Sequence, residues 1–306
     1  GWISKRDYDI ETDPENPTTT QEWNVESTYS VPNGGSVRFN SVKLDVNDKV
    51  IVAGTIDTVE GDIPLVARYS ATGVLEWQAT SYYNGKATDI TSDDNNYYIC
   101  GTNEWGEAFV EKYDTDGNPL WSQIVDTGYP NGDTRLDSIG VNDRGHVVAG
   151  GCLDATTPER GYLIKINTDT GEVLWDKTFS RAYDEDGTFG YNAPVNIWEL
   201  YVDSRDQIYV TGTYGTPERQ WIAKLTPEGN IIWQKGTTNT TNVMDGIGIT
   251  PMGIRSDGET EQTIVLSKQS STIQTYLILS KYSKDGELVW RRKLDKGNSS
   301  SASPLR

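Results

Sequence analysis

Histidine occurs once in this 306-residue chain, at His146, and cysteine and methionine occur twice each. A zinc centre built on several histidines is therefore excluded. A Ser–His triad would have to be built around His146, and no Gly-x-Ser-x-Gly elbow accompanies it. Cys100 and Cys152 follow no disulfide spacing rule and read as buried free thiols, which pack as small apolar residues. Basic residues are also few, 27 against 45 acids, so the net charge is −18 and the pI is near 4.4. Such a surface repels nucleic-acid backbones and anionic lipid, and neither is expected as a partner. It suits a saline medium, where screening removes much of the self-repulsion. Long apolar runs are missing too: none approaches the ~20 residues of a membrane span, so no membrane insertion is expected. No basic-then-apolar signal region opens the chain. Its first residues fall inside a repeat, so it reads as a processed product or part of a longer protein.

What the chain does have is tryptophan (10), tyrosine (17) and glycine (30). Five times a tryptophan follows a glycine by four residues, with a basic residue shortly before the glycine. The copies are Arg68…Gly73…Trp77, Lys112…Gly117…Trp121, Lys165…Gly171…Trp175, Lys224…Gly229…Trp233 and Lys281…Gly286…Trp290. The tryptophans are 44, 54, 58 and 57 residues apart, the period of a repeated supersecondary unit. An aromatic repeated at fixed spacing points to core packing, so Trp77, Trp121, Trp175, Trp233 and Trp290 are expected between adjacent sheets. Strict strand alternation would put each on the face of the residue two after the glycine.

Each unit holds two hairpins. In the first, Trp198–Asp203 and Ile208–Thr213 flank a polar turn at Ser204–Gln207. Its second strand recurs as Val50–Thr55, Tyr97–Thr102 and Val147–Gly151, and as Thr263–Ser267 without the glycine. Cys100 aligns there with Ala53 and Ala149. In the second hairpin the turn glycine supplies a positive φ. Four short antiparallel strands repeated radially predict an all-β β-propeller. First hairpins number five and second hairpins six, because Trp2-Ile3-Ser4-Lys5 and Trp23 repeat Trp221-Ile222-Ala223-Lys224 and Trp233. The expected organisation is a propeller over 1–297, five- or six-bladed. It comprises a half-blade at 1–30 and five complete blades over about 36–294, followed by a flexible tail at 298–306.

The Tyr-x-x-x-Gly-x-x-x-Trp run, with its preceding Lys/Arg and the Tyr-Val-x-Gly-Thr strand, resembles the SBBP-type propeller repeat. The copy Lys165-Ile166-Asn167-Thr168-Asp169-Thr170-Gly171-Glu172-Val173-Leu174-Trp175 also resembles the tryptophan-docking repeat of pyrroloquinoline-quinone (PQQ) proteins. The resemblance implies the fold over nearly the whole chain, and a setting such as bacterial surface proteins or marine phage virion proteins. It supplies no catalytic motif. Quinone-dependent enzymes of this kind resemble eight-bladed propellers with adjacent cysteines. Cys100 and Cys152 are far apart in sequence, so no cofactor is expected.

Asp184-Glu185-Asp186-Gly187 and Asp114-Thr115-Asp116-Gly117 faintly resemble calcium loops, but neither continues to the closing Glu, and turn chemistry explains the second; no metal is expected. Paired carboxylates could act on a glycoside, although the sequence selects no pair. The long connections offer more. Segment 179–195 concentrates aromatics among acids and glycines and nominates Tyr183, Phe189, Tyr191 and Asn192 as a binding surface. Tyr82-Tyr83-Asn84 and Gly128-Tyr129-Pro130-Asn131 fall in equivalent connections. Exposed tyrosines with Asn and Asp can stack on sugars or peptides; alternatively these rings pack over blade ends. The expectation is a non-enzymatic structural or recognition module, virion-borne or extracellular. A phage virion surface, fibre or tail component leads. Its partners would be other virion or surface proteins, or a host-surface glycan or protein. A secreted or cell-surface bacterial propeller and a glycoside-acting enzyme are the alternatives.

Overall fold

The computed structural model describes residues 2–9, 18–26, 35–127, 134–142, 144–153, 159–180, 195–214, 219–236, 249–256, 262–270 and 275–294. Every regular element among them is a β-strand, as short runs of β-branched and aromatic residues between polar turns dictate. β1 (Trp2–Asp9) and β2 (Thr18–Glu26) form a two-stranded sheet. Five four-stranded antiparallel sheets follow, each a meander. Blade 1 holds β3 (Ser36–Leu44), β4 (Val50–Thr58), β5 (Gly61–Tyr69) and β6 (Leu75–Thr80). Blade 2 holds β7 (Gly85–Ser92), β8 (Asn96–Asn103), β9 (Ala108–Asp114) and β10 (Pro119–Ile124). Blade 3 holds β11 (Thr134–Asn142), β12 (His146–Leu153), β13 (Arg160–Asn167) and β14 (Val173–Phe179). Blade 4 holds β15 (Val195–Val202), β16 (Ile208–Tyr214), β17 (Arg219–Leu225) and β18 (Ile231–Gly236). Blade 5 holds β19 (Ile249–Ser256), β20 (Thr263–Ser270), β21 (Thr275–Tyr282) and β22 (Leu288–Leu294). The first strand of each blade packs against the first strand of the next, which makes the molecule a β-propeller. The 298–306 tail lies outside the described residues.

Four of the five apolar clusters among the described residues lie between neighbouring blades, and the fifth, around Val50, Val52, Ala67 and Tyr69, lies on blade 1 alone. On β12, Val147 and Ala149 join Tyr98, Cys100 and Val110 of blade 2, while Val148 joins Ile197, Leu200 and Val210 of blade 4. Middle strands are thus buried on both faces, and they read in the sequence as continuous apolar runs rather than alternating ones. Cys100 and Cys152 are both buried, and neither is in a disulfide.

The recurrent tryptophan is a hand-off from one blade to the next. The indole Nε1 of Trp77 donates to Thr115 O (2.9 Å), Trp121 to Thr168 O (2.8 Å), Trp175 to Pro227 O (3.2 Å) and Trp233 to Lys284 O (2.8 Å). Each acceptor lies in the last turn of the following blade. The glycine of that turn has φ between 72° and 84°, and a Cβ on it would strike the incoming ring: Gly117 meets Trp77 at 2.6 Å and Gly286 meets Trp233 at 2.7 Å. In two copies the repeated basic residue joins the same contact, whereas Arg68 reaches Glu76 and the Tyr97 hydroxyl instead. Lys112 Nζ donates to Thr168 O at 2.8 Å and Lys165 Nζ to Pro227 O at 3.1 Å, so lysine and indole share one carbonyl and occupy both its lone pairs. Trp233 is buried; Trp77, Trp121, Trp175 and Trp290 are half-buried.

Strict alternation fails at this point. The ladder pairs Arg68 with Trp77 and Tyr69 with Leu75, skipping Glu76, and a matching shift occurs beside the other four tryptophans. That bulge turns the tryptophan toward the next blade and leaves the aliphatics before it exposed, Leu120 at 51% and Val289 at 54%. The N-terminal pair has the same register, Lys5 opposite Trp23 with the shift between Lys5 and Arg6. By backbone pairing it is a sixth copy of the outer hairpin.

A second bulge sits in every first strand, between Phe39/Ser41, Ala87/Asp89, Leu136/Ser138, Ile197/Glu199 and Pro251/Gly253. It explains the strand glycine. Gly54, Gly101, Gly151 and Gly212 each face the residue before the bulge, and a Cβ there would lie 1.8–2.2 Å from a first-strand carbonyl oxygen. This register also corrects the alignment of Cys100. Cys100 pairs with Asp89 as Ala53 pairs with Ser41, and the counterpart in blade 3 is Gly150, opposite Ser138, rather than Ala149.

Candidate functional site

A four-strand meander sends its first and third turns to one end of the propeller. The second turn and the connection to the next blade emerge at the other end, called here the loop end. Tyr82, Tyr83 and Asn84 lie in the β6–β7 connection at the loop end. The described ends of the β10–β11 and β14–β15 connections, residues 125–127 and 180, lie there too. Tyr183, Phe189, Tyr191 and Asn192 lie outside the described residues, as do Gly128–Asn131 and Asp184–Gly187. At the start of that long connection Phe179 is buried, its ring centroid 6.0 Å from that of Trp221.

The described part of the loop end is built on a buried acid. Glu111 on β9 is 1% exposed. It accepts from Ser81 Oγ (2.8 Å), Tyr82 N (3.3 Å), Ser122 Oγ (3.2 Å) and Tyr113 OH (2.6 Å). A carboxylate this deep persists only when its lone pairs are filled in this way. The bonds fix the β6–β7 connection. Tyr83 then packs on Phe109, with centroids 5.9 Å apart, and Tyr82 stands 68% exposed. Of the two alternatives for these rings, Tyr83 packs over its blade and Tyr82 remains in solvent.

Beside Tyr82 rises the β8–β9 turn, Asn103-Glu104-Trp105-Gly106-Glu107. Asn103 Oδ1 accepts from Trp105 N (3.0 Å) and Glu107 N (2.9 Å), and Gly106 at φ 80° closes the turn. The turn is tied on both sides, by Glu104 N to Asn84 O and by Thr134 N to Gly106 O, each 2.9 Å. It holds Trp105 67% exposed, with Glu104 and Glu107 also exposed. The sequence reading missed Trp105. Its signal was a tryptophan in an Asn-x-x-Gly turn, off the repeat position.

The opposite end carries structural charge. His146 Nδ1 lies 3.5 Å from Asp206 Oδ2, and that oxygen is ion-paired with Lys165 at 2.6 Å, Lys165 and Asp206 side chains being 5% and 4% exposed. Asn142 Nδ2 also donates to Asp206. The sole histidine thus belongs to the junction of blades 3 and 4. Asp114 is occupied by its own turn: Oδ1 accepts from Asp116 N and Asn118 N, and Oδ2 from Asn118 Nδ2. Burial pushes its carboxyl up, but these bonds outweigh that and hold it below the usual range. Among the described residues no group of three His, Cys, Asp or Glu could hold a metal ion.

A PQQ-type family model described as "Outer membrane protein assembly factor BamB" matches residues 106–305. The chain belongs to this PQQ-type propeller family. Of the two resemblances drawn from its repeats, the family model is of the tryptophan-docking kind. The family's cofactor is a separate matter. Cys100 on β8 and Cys152 on β12 sit buried in different blades, so the adjacent pair of quinone-dependent enzymes is not formed. None of the curated proteins matches. Among solved structures, a Lactobacillus plantarum protein is 12% identical, with a TM-score of 0.58 over 94% of this chain and 77% of that one. Chaetomium thermophilum Sqt1, bound to the N-terminus of a ribosomal protein, is 10% identical, with a TM-score of 0.59 over 95% and 69%. An ACO/RPE65 chimera is 9% identical, with a TM-score of 0.52 over 86% and 63%. At such identities the likeness is one of fold, which hosts many functions.

Proposed function

We propose that the chain is a non-enzymatic recognition module that binds through the loop end of its propeller, on the outside of a virion or a cell. The observation that carries this is the hydrogen-bonded turn that holds Trp105 in solvent, tied through Asn84 to the connection on which Glu111 fixes the exposed Tyr82. Loops on a rigid scaffold can carry binding without disturbing a core. An indole kept in water on hydrogen bonds at both flanks is pre-organised for a partner. The net charge of −18 and the scarcity of cysteine suit exposure to a saline medium, as on the surface, fibre or tail of a phage. A secreted or cell-surface bacterial propeller has the same physical needs and is the second reading. The family description as an assembly factor, and the Sqt1 complex, support a protein as the partner over a glycan. The test compares the chain with its Tyr183→Ala/Tyr191→Ala variant in binding to host cells, arrayed glycans and sibling surface proteins. The reading expects binding that the variant weakens with its circular dichroism intact. Absence of binding to all three, or hydrolysis of a glycan by the wild type, refutes it.

A further inference from the structure

We propose that Trp105, with Glu104 and Glu107 beside it, receives the cationic side chain of a basic segment, lysine or arginine, in a partner protein. The inference rests on the loop end being the recognition surface and specifies what that surface takes. Three observations point to a cation. First, Trp105 is 67% exposed on a turn that cannot fold it away, because Asn103, Asn84 and Thr134 hold the backbone. Second, Glu104 and Glu107 are exposed and make no ion pair among the described residues, whereas Glu76, Asp57, Asp206 and Glu287 each have a basic partner within the chain. Third, the chain's own cations show what its tryptophans take. Arg68 lies over Trp77 (5.8 Å), Lys177 over Trp175 (5.8 Å), Arg135 over Trp198 (5.1 Å) and Arg292 over Trp290 (5.7 Å). Trp105 has the indole and the flanking carboxylates but no cation over its ring among the described residues.

The physics favours this occupant. The negative face of an indole attracts a guanidinium or ammonium. Two carboxylates beside it add charge complementarity, and the field of a net −18 protein steers basic ligands inward. An anionic ligand would meet that field as a barrier. Tryptophan is also the residue most enriched where binding energy concentrates.

The probe is a short acetylated peptide amide of alternating glycine and arginine, set against its citrulline counterpart, which keeps the shape and removes the charge. Calorimetry at low salt is paired with the Trp105 indole N–H resonance. The arginine peptide should shift that resonance and bind roughly tenfold or more tightly than the citrulline peptide. Trp105→Ala should weaken binding about tenfold while leaving the melting temperature unchanged, because the ring is in solvent. Glu104→Gln/Glu107→Gln should weaken it several-fold, and Asp116→Asn/Asp285→Asn, an equal charge change at the opposite end, less than twofold. Equal binding of the citrulline peptide, indifference to Trp105→Ala, or an equal loss from the Asp116/Asp285 pair would overturn the proposal. So would chitotriose shifting the Trp105 resonance where the arginine peptide does not. If the peptide fails while surface proteins still bind in a Tyr183- and Tyr191-dependent way, this inference falls and the recognition reading stands.

Discussion

Trp233→Ala should destabilise the propeller by several times as much as Trp290→Ala, although both residues occupy the same repeat position. Trp233 is 9% exposed, stacks on Tyr282 with centroids 6.5 Å apart, abuts Gly286, and gives its Nε1–H to Lys284 O at 2.8 Å. A tryptophan buries up to ~250 Å², which at ~25 cal/mol per Å² sets a ceiling near ~6 kcal/mol for its transfer. A compact unfolded chain lowers that ceiling, and leaving the Lys284 carbonyl short of a donor adds ~1 kcal/mol. The expected loss is ~3–5 kcal/mol, in the range of large aromatic truncations. Trp290 is half-buried, lies under Arg292, and makes no indole hydrogen bond among the described residues, so its truncation should cost only ~1–2 kcal/mol. Urea unfolding followed by far-ultraviolet circular dichroism reads both, with the slope checked because a repeat protein can lose blades separately. Equal losses, or a loss below ~1 kcal/mol for Trp233→Ala, would refute the hand-off as the source of stability.

Two further outcomes follow from the geometry. Gly212→Ala places a Cβ 1.8 Å from Asn196 O, so it must flatten the β15 bulge and should cost at least the ~1–3 kcal/mol of overpacking; an unchanged urea midpoint would show that the bulge does not dictate the glycine. Stability should fall in alkali. Burial pushes the Tyr97 phenol up to about 12, and burial aided by Asp93, Glu111 and Asp176 raises Tyr98, Tyr113 and Tyr162 respectively. The fold favours the neutral phenols, so their contribution is complete below the unfolded value of ~10 and drains away as pH climbs toward the folded values. A melting temperature constant from pH 9 to 11.5 would contradict this.

The period, the hairpins and the turn glycines were legible in the sequence because strands and turns are local, and a repeat displays its own alignment. What joins the blades was not. Trp121 and Thr168 are 47 residues apart, and no periodicity says that one donates to the other. Both kinds of bulge escaped as well, since a bulge adds one residue without altering composition. It cost the strict-alternation expectation at Trp77 and misaligned Cys100 with Ala149. At the loop end, Tyr82 stood out because it belongs to a connection between repeats. Trp105 did not, because it stands off the repeat position, and a single tryptophan in a turn leaves no periodic signal.

The direction of the hand-off has a consequence for how the chain folds as it is made. Every docking tryptophan precedes its receiving carbonyl, by 38 residues for Trp77, 47 for Trp121, 52 for Trp175 and 51 for Trp233. At ribosomal speeds of ~5–20 residues per second, each finished blade waits roughly 2–10 s with its indole unreceived. Assembly from the ribosome therefore trails synthesis by one blade throughout. The newest sheet always has a sticky aromatic flank, and a pause between repeats lengthens the interval in which that flank can meet the wrong neighbour.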